Sequence, residues 1–220
     1  RITVGYQIPF GVGDADEYYV WAVADGDVLG GGPPVEKIAF VSNGDIYTMN
    51  GSGKAQRPVT KSSNPVTDWE PAWSPDGTRI AFNSTRGGNG YDIWVMNADG
   101  SNQTRLTYGG DNRQPTWSPG GNQIAFTTFR NGYPNIYTMS ADGSNQTQVT
   151  NLADITPAWS PDGTRIAFVS FIDGYYDIYT VSPNGSGRIK LTNLAGAYDP
   201  AWSPDGTRIA FHTGTEQSSE

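Results

Sequence analysis

The chain has no cysteine, a single histidine and only three methionines among its 220 residues. Without cysteine there is no disulfide and no thiolate, either as nucleophile or as metal ligand. With one histidine, His212, a Ser-His-Asp arrangement would have to be built on that residue. No G-x-S-x-G elbow stands anywhere to supply its serine. Basic residues are also scarce: 14 Lys and Arg stand against 22 Asp and Glu, for a net charge of −8. No basic stripe exists to neutralise phosphates, which excludes nucleic acid as a partner. No apolar run approaches the roughly 20 residues of a membrane-crossing helix, and no helical period appears. Arg1 stands where an initiator Met would, so a processed N-terminus is expected.

What is abundant is turn-forming and aromatic: 28 Gly and 15 Pro, with 12 Tyr, 8 Phe and 7 Trp. They are arranged periodically. Ile-Ala-Phe begins at Ile38, Ile80, Ile124, Ile166 and Ile209, in steps of 42, 44, 42 and 43 residues. A period in the low forties with Gly-rich turns predicts propeller blades, one four-stranded sheet per repeat. Within a unit, strand a centres on the Trp of PAWS and is followed by the turn Ser74-Pro75-Asp76-Gly77. Strand b is Thr78 to Phe82, with large and small residues alternating as a tapering stack requires. Strand c is Asp92 to Met96, matched at Asp45, Asn135 and Asp177. Strand d holds Arg105-Leu106-Thr107 and its equivalents.

The succession WSPDGTRIAF, then DIWVMN, then DGSNQTRLT resembles the TolB-type propeller repeat over residues 35 to 213. That repeat also occurs in propeller domains of prolyl-oligopeptidase-like enzymes and in many secreted bacterial and archaeal proteins. The resemblance implies the fold and an extracytoplasmic setting, whether secreted, periplasmic or at the cell surface. It does not name an activity, because propellers host many.

The expected architecture is all-β, a single propeller domain over residues 1–220. Complete blades begin near residues 17, 70, 114 and 156, and a half blade runs from Asp199 to Thr213. Residues 1–16 form an N-terminal extension whose Arg1 to Ile8 alternates like a strand, and residues 214–220 form a tail. Pairing of that strand with the terminal half blade would complete a fifth blade. The same pairing made with a neighbouring molecule would build a filament or surface layer. A third reading makes the chain part of a longer propeller protein.

Candidate chemistry is sparse, and no enzyme activity or cofactor is expected. Asp76, Asp162 and Asp205 recur in identical turns and are expected to cap them. Asp14, Asp16, Glu17, Asp25 and Asp27 are acidic and turn-like but lack a calcium-loop pattern, so no metal site is predicted. Of the two rims, that carrying the d-to-a and b-to-c loops is varied and aromatic. Trp69, Arg113, Tyr133, Tyr175 and Tyr198 are the candidate contacts there for a protein or glycan. Phe129 and Phe171 are expected to fill gaps between blades. The N-x-[ST] pattern at Asn50, Asn83, Asn102, Asn145 and Asn184 marks candidate glycan acceptors, four of them in c-to-d turns.

Overall fold

The computed structural model describes residues 19–24, 37–172, 174–194 and 196–214. The expected N-terminal strand and the acidic stretches Asp14–Glu17 and Asp25–Asp27 lie outside these residues. The first sheet comprises β1 (Tyr19–Ala24), β2 (Lys37–Ser42), β3 (Asp45–Asn50) and β4 (Arg57–Pro58). The second holds β5 (Asp68–Trp73), β6 (Arg79–Ser84), β7 (Asp92–Asn97) and β8 (Thr104–Arg105). The third holds β9 (Asn112–Trp117), β10 (Gln123–Thr128), β11 (Asn135–Ser140) and β12 (Thr147–Gln148). The fourth holds β13 (Asp154–Trp159), β14 (Ile166–Ile172), β15 (Tyr175–Val181) and β16 (Ile189–Lys190). A two-stranded sheet of β17 (Ala197–Trp202) and β18 (Ile209–Thr213) ends the series. All pairings are antiparallel and sequential.

The first strands of successive sheets pack on one another: β1 on β5, β5 on β9, β9 on β13, β13 on β17. These strands therefore surround the common axis, and the sheets radiate from it as blades. The core lies between blades, because each strand b uses both faces. Ile80 and Phe82 pack with Ala39, Ile46 and Val59 of the preceding blade. Ala81 faces the other way, against Trp117, Ile124 and Phe126 of the next blade. The third seam repeats the scheme, with Ala125 meeting Ile166 and Phe168. A small alanine on one face makes room for the neighbour's large residues, which is why Ile-Ala-Phe recurs.

In three of the four-stranded sheets strand c is tied to strand d through its leading aspartate, Asp45, Asp92 or Asp177. The Asp92 carboxylate accepts from Thr107 Oγ1 (3.1 Å) and the Gly109 N–H (2.9 Å), and pairs with Arg105 at 2.5 Å. Thr107 Oγ1 in turn accepts the Ile93 N–H at 2.9 Å. The same threonine contact recurs at Thr60, Thr150 and Thr192. The turn acids cap their turns as expected. Asp76 Oδ1 accepts from Ser74 Oγ and the Thr78 N–H, and Asp162 and Asp205 do likewise.

In the second, third and fourth sheets the c-to-d turn then lies over the preceding blade. A Cβ on Gly100 would fall 2.2 Å from Val59 O, and one on Gly185 would fall 2.9 Å from Val149 O. Val59, Leu106 and Val149 are thereby buried, whereas their equivalent Leu191 is 48% exposed. Phe82, Phe126 and Phe168 are fully buried, yet Phe211 at the same place is 36% exposed. Among the described residues the last sheet has no strands c and d, so these faces lack their usual cover.

Candidate functional site

The d-to-a segments do not run as loops. Asp68-Trp69-Glu70, Asn112-Arg113-Gln114, Asp154-Ile155-Thr156 and Tyr198-Asp199 belong to the first halves of β5, β9, β13 and β17. The second and later sheets accordingly begin about two residues earlier than the Trp spacing suggests. The reason is a bulge. Pairing slips between Trp69 and Ala72 and at the corresponding place in the other first strands. Glu70, Gln114, Thr156 and Asp199 adopt φ of 53°, 55°, 54° and 49°, each just before a proline. Positive φ at a non-glycine residue costs of order 1 kcal/mol, and bulges re-aim side chains.

The re-aimed side chains run from one blade to the next around the axis. Glu70 Oε2 accepts the Gln114 N–H at 2.7 Å, and Gln114 Oε1 accepts the Thr156 N–H at 3.1 Å. Each is also met by strand b of its own blade: Asn83 Nδ2 donates to Glu70 Oε2 (2.6 Å), and Thr127 Oγ1 to Gln114 Oε1 (2.8 Å). At the same register His212 Nδ1 lies 3.4 Å from Asp199 Oδ2. Burial pushes the Glu70 carboxyl up to about 7, although the Gln114 N–H and Arg113 favour its charged form. Asp199 and Asp111 add to the rise, so the last sheet and the second share one electrostatic environment. Burial also raises Asp199, against the pull of His212. Asn83 Oδ1 and Thr156 Oγ1 are buried without a protein partner, which leaves unused hydrogen-bonding capacity in the wall.

The candidate rim residues fall into two groups. Trp69, Arg113 and Tyr198 hold one register position, immediately before the axis-facing residue. Arg113 forms a fork with Asp111 (3.0 and 2.9 Å) and lies over Tyr91 at 4.6 Å and Phe129 at 5.8 Å. Tyr198 stands between Tyr176 (5.1 Å) and His212 (5.3 Å), and Phe171 extends the row at 4.8 Å from Tyr176. Tyr133, on a b-to-c connection, and Tyr175, at the start of β15, stand apart from these, 47% and 55% exposed. Phe129 and Phe171 remain 36% and 45% exposed. Sequence reasoning did not single out Glu70, Gln114, Thr156 and Asp199, and it read Asn83 only as a candidate glycan acceptor. The available signal was a varying polar residue before an unvarying proline in D-W-E-P, N-R-Q-P, D-I-T-P and A-Y-D-P.

The buried acids Asp68 and Asp154, at the start of β5 and β13, pair with Arg86 (2.5 Å) and Arg188 (2.8 Å). Arg188 lies over Phe168 and Tyr179, so these ion pairs fasten blade interiors rather than face a ligand. Of the glycan candidates, Asn102, Asn145 and Asn184 are exposed in c-to-d turns, and Asn50 ends β3 half-buried. Asn83 lies on β6, 2% exposed, with its Nδ2 committed to Glu70.

The sequence pattern of the TolB beta propeller domain matches residues 109–220. The Tol-Pal system protein TolB of Anaeromyxobacter dehalogenans is 40% identical over 63 residues, 29% of this chain and 14% of that protein. A Bacillus subtilis protein named as an uncharacterized peptidase is 36% identical over 72 residues, 33% of this chain and 10% of its own length. The chain thus spans a small part of these relatives. The solved structure of a TolB described as putative, from Agrobacterium tumefaciens, superposes with a TM-score of 0.68 at 28% identity. The superposition covers 81% of this chain and 71% of that one.

Proposed function

Because the chain belongs to the TolB β-propeller domain family, we propose that it is a non-catalytic, extracytoplasmic recognition module whose axial mouth binds a protein or a glycan. One observation carries this reading. A single strained backbone conformation is repeated at Glu70, Gln114, Thr156 and Asp199, while the side chain it presents differs each time. A constant scaffold with changing polar groups at a shared axis suits recognition, where composition of the surface selects the partner. Trp69, Arg113 and Tyr198 supply flanking aromatic and planar cationic area of the kind that anchors interfaces. The lone imidazole of His212 is stacked on Tyr198 and faces Asp199, a pairing that positions a rim residue rather than a nucleophile. A glycan array and cross-linking to envelope proteins, run with the protein and its Trp69→Ala, Arg113→Ala, Tyr198→Ala triple variant, test this. Signals present with the first and lost with the folded variant are expected; signals equal in both would sink the proposal.

A second reading places self-assembly first. It is favoured by the outer edge of β18 and by the exposure of Leu191 and Phe211 beside it. A strand added to that edge, from residues 2–8 of the same chain or of a neighbour, would cover both. Light scattering across a dilution series separates the two. A monomer at every concentration removes the filament reading. In a third reading the chain is the propeller part of a larger TolB-like or prolyl-oligopeptidase-like protein, which the small spans of the matched relatives favour. The full-length gene sequence decides it.

A further inference from the structure

The opposite rim, formed by the a-to-b turns, holds a cavity that the recognition reading does not use. It lies at the seam between the fourth sheet and the last, measures about 430 Å³, and is lined by Pro161, Asp162, Arg165, Trp202, Asp205 and Gly206 among others. Trp202 is fixed there by its indole N–H, which donates to Ala158 O at 3.1 Å. Trp117 makes the same bond to Ala72 O, also at 3.1 Å, two blades earlier, whereas the intervening Trp159 indole N–H has no partner among the described residues.

What covers the equivalent indoles shows what this position accepts. Lys37 Nζ stands 5.6 Å from the Trp73 ring centre, and Arg79 Cζ stands 4.6 Å from that of Trp117. Both cations open strand b of the preceding blade, and both tryptophans are only 6% exposed. At the Trp202 seam the corresponding residue is Arg165. Its guanidinium is turned to its own blade, donating to Thr180 Oγ1 at 2.8 Å and Ser182 Oγ at 3.5 Å. Among the described residues no cation lies over Trp202, and its ring borders the cavity instead.

We infer that this cavity binds an organic cation, an alkylammonium or guanidinium group, stacked on Trp202 as Lys37 and Arg79 stack on Trp73 and Trp117 at two of the other seams; at Trp159 the corresponding residue is the uncharged Gln123. The walls suit that charge. Asp162 and Asp205 each accept at Oδ1 within their own turn, from Ser160 and Thr164 in one and from Ser203 and Thr207 in the other, and Asp162 Oδ2 also accepts from Thr164 Oγ1 at 2.9 Å. Those same hydrogen bonds hold both carboxyls below the usual carboxylate range, so both are ionised near neutrality. Arg165 and Arg208 are the opposing charges: Arg165 lines the cavity, and Arg208 acts on Asp205. An incoming cation therefore gains from the indole face and two carboxylates and is repelled mainly by a guanidinium already bonded elsewhere.

The test follows the indole N–H resonance of Trp202, assigned with Trp202→Phe, during titration of the full chain. The probes are agmatine, the peptide acetyl-Gly-Arg-Gly-amide and, as a neutral control, methyl glucoside. A saturable shift with a dissociation constant of about 1 mM is expected for both cations, weakening as salt rises. The Asp162→Asn, Asp205→Asn double variant keeps the Oδ1 acceptors that hold the turns and should weaken binding at least threefold. Arg165→Gln should strengthen it. Equal affinity for the two cations identifies a small free cation as sufficient; a peptide bound tenfold more tightly identifies a side chain displayed on a polypeptide. The inference is overturned by the absence of a saturable shift, by an equal response to methyl glucoside, or by indifference to the aspartate substitutions.

Discussion

Glu70 keeps its proton to about pH 7 in the folded chain, against an ordinary value of 4.5. Between those values the folded state binds a proton that the unfolded chain has released. This contribution therefore makes stability fall as pH rises from about 4.5 to about 7, by up to about 3 kcal/mol. Glu70→Gln keeps an acceptor for Asn83 and the Gln114 N–H and removes the charge. Urea unfolding at pH 4, 5.5 and 8 is expected to show the variant equal to the parent at pH 4 and more stable by about 2–3 kcal/mol at pH 8. A difference that does not change with pH would mean that burial does not govern this carboxyl. At the same scale, the sequence showed the turn acids plainly, because Ser, Asp and Thr within five residues suffice to cap a turn. It hid Glu70, whose role depends on a partner 44 residues away.

The blade is the element in which Ile-Ala-Phe has its meaning. In a complete blade strand c and the preceding blade enclose the phenylalanine; in the last sheet strand c is missing among the described residues. Phe168→Ala is therefore expected to cost about 3–5 kcal/mol in chemical denaturation. Phe211→Ala, at a position 36% exposed, should cost about 1 kcal/mol or less. Equal losses would show that the last sheet is covered in solution, as completion by a further strand requires. Strand order and turn type were legible in the sequence because hairpin pairing is local. The bulge in the first strand was not. A positive φ before proline follows no residue preference, and the slip it introduces shifts the inward and outward alternation by one.

For the whole molecule, the repeat makes each seam a variation on one theme, and differences between seams carry the information. Three complete seams bury Val59, Leu106 and Val149, and the fourth leaves Leu191 exposed. Two seams cover an indole with a cation, and the last opens that place as a cavity. An exposed edge and apolar face of this kind invites a further strand. In the light-scattering series, deletion of residues 1–8 should therefore abolish any assembly made by strand exchange, while leaving a monomer of the parent chain monomeric.

Periodicity alone makes the architecture legible: a period of 42 to 44 residues, hairpin turns and large-small alternation admit few solutions besides stacked blades. The sequence also singled out Trp69, Arg113 and Tyr198, because variation on a repeating frame is visible without coordinates. Only the tertiary structure coupled Glu70 electrostatically to Asp199, sealed Asn83 within its strand and turned Arg165 to its own blade. The physical reason is range. Turn capping and strand pairing are settled by neighbours in the chain, whereas charge coupling and aromatic cover depend on how separate blades meet around one axis.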